Sequence, residues 1–123
     1  MQIAYICSPY RGQSEEEYRR NGDYARELTK LALRAGLAPI TPHLYITQVT
    51  DDSVPEERQQ GLEAGLALLD GCDLVICGNK YGVSSGMQGE LAKAEADGKR
   101  VLLVIDGDDL ETIKKGVQSL WDS

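Results

Sequence analysis

No apolar run in this 123-residue sequence approaches the roughly 18 residues that a membrane-spanning helix needs, which excludes a transmembrane role. Basic residues are also short: 13 Lys and Arg stand against 20 Asp and Glu, for a formal charge of −7. A chain this acidic repels a phosphate backbone and lacks the dense basic face of a duplex binder, so neither nucleic acid nor a membrane is expected as a partner. The cysteines, Cys7, Cys72 and Cys77, are odd in number, and two sit inside apolar runs where a thiol behaves as a small hydrophobe. Disulfides are therefore not expected. One histidine, His43, and a lone C-x4-C spacing do not make a zinc set, so no metal is expected either. The opening MQIAYIC has no basic segment, no long apolar stretch and no small-residue cleavage site, which predicts a cytoplasmic protein.

What is present reads as one domain, 1–123, with 41% hydrophobic and 27% charged residues, close to the globular average. Gln2 to Cys7 is a strand-length apolar run. From Ser14 to Ala35, Tyr18, Asn21, Ala25, Leu28, Ala32 and Ala35 recur at helical steps of three and four. Ser14 with Glu17 forms a capping box, and Gly36 stands where a helix stops on a left-handed residue. Leu37 to Thr41 reads as a second strand, and a loop with Pro42 and His43 leads to a helix opened by Ser53, with Pro55 in its first turn. That helix is expected to turn Leu62, Leu66 and Leu69 inward and to end near Gly71. Asp73 to Cys77 is a third strand, a helix runs from about Ser84 or Ser85 to Asp97, and Arg100 to Ile105 is a fourth strand. The last helix opens at Asp108, with Glu111 repeating the capping pattern and Leu110, Ile113, Val117, Leu120 and Trp121 on one stripe.

Strand and helix alternate, and the strands read as continuously apolar, which predicts an α/β three-layer sandwich. Its parallel sheet is doubly wound, flavodoxin- or Rossmann-like, with four strands, or five, in the order 2-1-3-4. Ligands of such sheets bind outside the carboxyl ends of the strands where the winding reverses, here the loops after strands 1 and 3.

The first loop, Cys7-Ser8-Pro9-Tyr10-Arg11-Gly12, places a guanidinium beside a glycine turn at a helix start, which suits a phosphate or carboxylate. The plainer alternative pairs Arg11 with Glu15 or Glu16 on the surface. Residues 1–34 hold six basic and five acidic side chains and the remainder seven and fifteen, so Arg11 lies in the region most hospitable to an anion. The second loop, Gly78 to Glu90, offers the Ser84 and Ser85 hydroxyls and free amides at a helix start without the G-x4-G-K-[ST] pattern of a Walker loop. Glu90, about one turn inside, either favours the helix dipole or enters the crevice as a nucleophile. Glycines at 86 and 89 weaken the helix and suggest a close approach to its backbone. Tyr5 is either plain core or a hydroxyl donor to a carboxylate in the crevice; His43 is either a turn bystander or a ligand contact. No G-x-S-x-G elbow and no G-x-G-x-x-G follows a strand, so hydrolase triads and dinucleotides drop out and no cofactor is expected.

Tyr5-Ile6-Cys7-Ser8-Pro9-Tyr10-Arg11-Gly12 and Ser84-Ser85-Gly86-Met87-Gln88-Gly89-Glu90 together resemble the signature segments of the nucleoside 2-deoxyribosyltransferase-like superfamily. That group includes the 2′-deoxynucleoside 5′-monophosphate N-glycosidases and small bacterial or phage proteins of unassigned function. Thr41-Pro42-His43 and the start of strand 3 at Cys72-Asp73-Leu74-Val75 are weaker matches, and the likeness spans nearly the whole chain. The resemblance implies that Glu90 attacks C1′ of a deoxyribose, that Tyr5 tunes its carboxylate, and that the glycosyl-enzyme passes to water or another base. Ser8, Pro9, Tyr10, Arg11, Gly12, His43, Ser84, Ser85 and Gly86 would hold the nucleoside or its 5′-phosphate, and the chain would assemble as a homodimer or larger homo-oligomer. Three features depart from the family: Ser8 replaces a glycine, the fifth strand has no counterpart, and Gly65 stands where the family has an Asp that assists base departure. Glu63, Asp70 and Asp73 are the acids left for that role. A nucleotide-binding or sensing module that does not cleave is the alternative on the same fold, and a phosphotransfer-receiver-like domain is disfavoured because no paired acidic cluster follows strand 1.

Overall fold

A computed structural model describes residues 1–121. Its elements run β1 (Ile3–Cys7), α1 (Glu15–Arg34), β2 (Ala38–Ile40), a 3-10 turn (Pro42–Leu44), α2 (Ile46–Val49), α3 (Pro55–Asp70), β3 (Leu74–Gly78), α4 (Ser85–Ala96), β4 (Arg100–Val104) and α5 (Leu110–Trp121). The four strands form one parallel sheet in the order β2-β1-β3-β4, as the alternation predicts. β1 and β3 lie side by side, with Tyr5 opposite Val75 and Cys7 opposite Cys77, so the winding reverses between the loops that follow them.

Successive strand residues face opposite sides, and the sheet sorts its side chains accordingly. Ala4, Ile6, Leu74, Ile76 and Val104 pack against Tyr24, Leu28 and Ala32 of α1 and Ile113 of α5. Tyr5, Cys7, Val75 and Cys77 pack on the other side against Leu69 of α3, and against Met87 and Ala94 of α4. Gly78 makes the first packing tight, since a Cβ there would lie 2.5 Å from both the Tyr24 hydroxyl and Leu28 Cδ1.

Several local expectations are corrected. Ser14 caps α1 by accepting from the Glu17 amide, but the Glu17 carboxylate accepts from Gln13 rather than closing the box on Ser14. Residues after Thr41 are not plain loop: they coil into the 3-10 turn and α2, which Thr47 and Thr50 hydroxyls tie back to the carbonyls of His43 and Ile46. α3 buries only Gly65 and Leu69, leaving Leu62 and Leu66 at 52% and 37% exposure. The cap of α5 is Asp109, which accepts from the Thr112 amide at 2.8 Å, while Asp108 folds back onto the Ile105 amide. Finally, β4 is covered on one face only: Val101, Leu103 and Ile105 point away from α5 and are exposed. No described helix is long and apolar enough to cross a membrane.

Candidate active site

The site is assembled from one strand and two helices. Tyr5 sits mid-strand on β1 with its ring in the core, and its hydroxyl lies where a Cβ on Gly65 of α3 would come within 3.4 Å. Both readings of Tyr5 thus hold at once: the ring is core and the hydroxyl reaches a carboxylate. That carboxylate is Glu90, on the inward side of α4 with buried Met87 one turn before it and Ala94 one turn after. Ser84 fixes the start of this helix by accepting from the Met87 amide at 3.3 Å, while the Met87 sulfur receives the Ser84 amide.

Glu90 is strained electrostatically. Burial pushes its carboxyl up to about 7, against the hydrogen-bonding pull of the Tyr5 phenol and Cys7 thiol, which favour the charged form. Oε2 is enclosed and has no hydrogen-bond partner. An unpartnered buried acceptor is uncommon and marks either stored strain or a place for a missing ligand or proton. Burial and the neighbouring Glu90 charge hold the Tyr5 phenol well above its ordinary value. The bond with Cys77, together with burial, does the same for the Cys7 thiol, which also points at the Met87 carbonyl. Both groups stay protonated beside Glu90.

The other predicted residues divide into two groups. Ser84, Ser85 and Gly86 lie exposed at the start of α4, and a Cβ on Gly89 would meet nothing within 4 Å. Pro9, Tyr10 and His43 instead line a separate hollow of about 270 Å³ shared with Tyr18, Arg19 and Gln48, which neither Tyr5 nor Glu90 borders. There the His43 ring stacks on Tyr10 at 5.4 Å, and its Nε2 lies 3.1 Å from the Ser8 carbonyl. Burial lowers the affinity of His43 for a proton, so it stays neutral and pins the first loop to the 3-10 turn. Arg11 pairs with neither Glu15 nor Glu16; its Nε meets Asp52 Oδ2 at 3.0 Å. Gly12 is required where it stands, because a Cβ would lie 2.6 Å from that of Glu17. Ser8 is fully buried with a hydroxyl that has no partner.

The first loop also depends on Asn21. Its Nδ2 donates to the carbonyls of Tyr10 and Arg11 at 3.2 and 3.1 Å from a buried position on α1. The available signal was an amide on the otherwise apolar stripe of that helix.

None of the three acids named to stand in for Gly65 reaches the site. Asp73 accepts from the Ile3 amide at the amino end of the sheet, Asp70 pairs with Lys93 at the far end of α3, and Glu63 is an exposed partner of Gln59.

A family model described as Domain of unknown function (DUF7768) matches residues 2–104. The chain belongs to that family. The DUF7768 match runs from the start of β1 to the end of β4 and so contains Tyr5, Gly65 and Glu90. No curated protein matches the sequence. Among solved structures the chain is similar to a 2-deoxyribosyltransferase from the psychrotolerant bacterium Bacillus psychrosaccharolyticus. The TM-score is 0.67 at 17% identity, over 89% of this chain and 79% of that one. It is also similar to the CMP N-glycosidase BcmB of Clostridium botulinum, with a TM-score of 0.51 at 15% identity over 97% and 82% of the two chains. These likenesses are of fold.

Proposed function

We propose that the chain transfers or hydrolyses the glycosyl group of a 2′-deoxynucleoside or its 5′-monophosphate. Glu90 is the nucleophile. One carboxylate oxygen attacks C1′, the base leaves through an oxocarbenium-like transition state, and water or a second base then takes the sugar from the glycosyl-enzyme. Tyr5 orients the carboxylate and, by hydrogen bonding, keeps part of it ionised near neutrality. Arg11, on exchanging Asp52 for a substrate oxygen, and the amides at the start of α4 hold a 5′-phosphate. The observation that carries this reading is the half-enclosed Glu90 carboxylate, which has an unpartnered oxygen beside Tyr5 and sits on a helix whose opening residues Ser84, Ser85 and Gly86 are exposed. The shared fold with a 2-deoxyribosyltransferase and a CMP N-glycosidase supports it.

The test is to incubate the protein with deoxynucleosides and their monophosphates, follow free base by chromatography, and repeat with Glu90→Gln. Loss of about a thousandfold or more is expected for the variant, as for other enzymes deprived of a nucleophile. Release that survives the substitution removes Glu90 from the role. The three acids turned away from the crevice favour a second reading, a module that binds nucleotides without cleaving them. It is recognised by ligand-induced melting shifts with no base released.

We also propose a homodimer or larger assembly, because Leu62 and Leu66 leave an apolar stretch on α3 uncovered in the single chain. Light scattering that finds only monomer at working concentration contradicts it.

A further inference from the structure

Breaking a bond from C1′ to a neutral base leaves the base nitrogen with an extra electron pair, so departure is helped by a proton donor. The groups around Glu90 are poor at this task. Among the described residues, two hydrogen-bearing side chains bear on the carboxylate, the Tyr5 phenol and the Cys7 thiol. Both resist ionising, because each would place a second negative charge in a buried pocket beside Glu90. On the α3 side the wall is Gly65, which has no side chain, and the Tyr5 hydroxyl faces it. Asp73, Asp70 and Glu63 are engaged elsewhere, and the Asp52 carboxylate is bonded to Arg11.

We infer that this site takes N-glycosides whose base is already a cation, with pyridinium nucleosides such as those of nicotinamide as the simplest class. The inference rests on glycosyl transfer at Glu90. The electrons balance without a protein acid: a Glu90 oxygen bonds to C1′, the C1′–N bond breaks, and its electron pair neutralises the pyridinium nitrogen. Neutral nicotinamide leaves with no proton gained. Water then bonds to C1′ as the C1′–O bond to Glu90 breaks, its electron pair restores the Glu90 carboxylate, and one proton goes to solvent. Charge favours the same class, since a cationic base approaches a chain of net charge −7 and a single buried carboxylate.

The experiment compares substrates matched in sugar: nicotinamide riboside against uridine and adenosine, nicotinamide 2′-deoxyriboside against deoxyuridine and deoxyadenosine, and the corresponding monophosphates. Free base is followed by chromatography for the unaltered protein, Glu90→Gln and Gly65→Asp. In the unaltered protein, pyridinium substrates should release base at least about a hundredfold faster than neutral-base partners, the scale of a missing general acid. Glu90→Gln should abolish release from both. Gly65→Asp should narrow the gap by raising the neutral-base rates. Because that variant can fail to fold, a second measurement uses only the unaltered protein: log rate against leaving-group pKa over substituted pyridinium ribosides should be steep. Equal rates on neutral and cationic bases, or a flat dependence, overturn this inference and leave glycosyl transfer at Glu90 standing. Release from neither class overturns both.

Discussion

The two faces of the sheet are made from alternate residues of the same strands, yet only one of them encloses a carboxylate with an unpartnered oxygen. On the α1 and α5 side, Ala4 and Ile6 of β1 meet aliphatic and aromatic side chains, and the Tyr24 hydroxyl is satisfied by the Lys80 amide at 3.2 Å. On the α3 and α4 side, Tyr5 and Cys7 of that strand meet a carboxylate with an unpartnered oxygen, and α3 covers them with a glycine and one leucine. A domain this small has few buried contacts to spare, so an unsatisfied acceptor persists only where the surrounding packing holds it. On the proposed reading, stability is concentrated on the first face and chemistry on the second.

Cutting into each face separates these roles. Leu28→Ala removes a fully buried side chain from the first face and should cost about 3 kcal/mol, within the range seen for such truncations, in urea denaturation. Base release per folded molecule should not change. Tyr5→Phe keeps the ring and removes the hydroxyl that favours ionised Glu90, so it should cost less stability while moving the activity inflection upward from about pH 7. If Leu28→Ala lowers specific activity as much as Tyr5→Phe does, the faces are not separate.

A pH series on stability sharpens the contrast. The Glu90 carboxyl is raised from 4.5 to about 7 in the folded chain, so the folded state binds the proton more tightly than the unfolded one. Its contribution is therefore fully present below pH 4.5 and is lost as pH rises through 7. Glu90→Gln is neutral throughout and escapes that loss. It should match the unaltered protein near pH 4 and exceed it by about 2 to 3 kcal/mol near pH 8. An advantage of the same size at both pH values would show that Glu90 is not buried as a titrating group.

The layered fold was legible because its signals are local: apolar runs of strand length, the Ser14 cap and the Gly36 stop, and the absence of any intervening linker. Glu90 and Tyr5 were legible as candidates from their places beside the switch point. What escaped depends on contacts between segments distant in the chain. Leu62 and Leu66 have helical spacing like that of Leu28, and only the placement of α3 over the sheet decides that they face outward. Arg11 has two acids close in sequence, but the folded chain brings Asp52, 41 residues away, to it instead. The His43 bond to Ser8 spans 35 residues and has no local signature. Asn21 was placed on the correct stripe, but its two bonds to the first loop needed the loop's path to be known.

The smallest effect makes the closest comparison, because Ser14 and Ser84 do the same work on opposite faces. Each accepts the amide three residues on, at 3.2 Å for α1 and 3.3 Å for α4. Each replaced by Ala should cost about 1 kcal/mol, the usual value for a lost helix cap. The consequences for function should differ. Ser14 opens the helix that packs the face away from Glu90, so Ser14→Ala should leave base release unchanged once folding is accounted for. Ser84 opens the helix that carries Glu90 two turns in, beside the exposed turn proposed to receive substrate. Ser84→Ala should therefore lower release several-fold, with the loss in KM if the hydroxyl meets the phosphate and in kcat if fraying displaces the carboxylate. Equal activity in the two variants would mean that the start of α4 neither binds substrate nor aims Glu90.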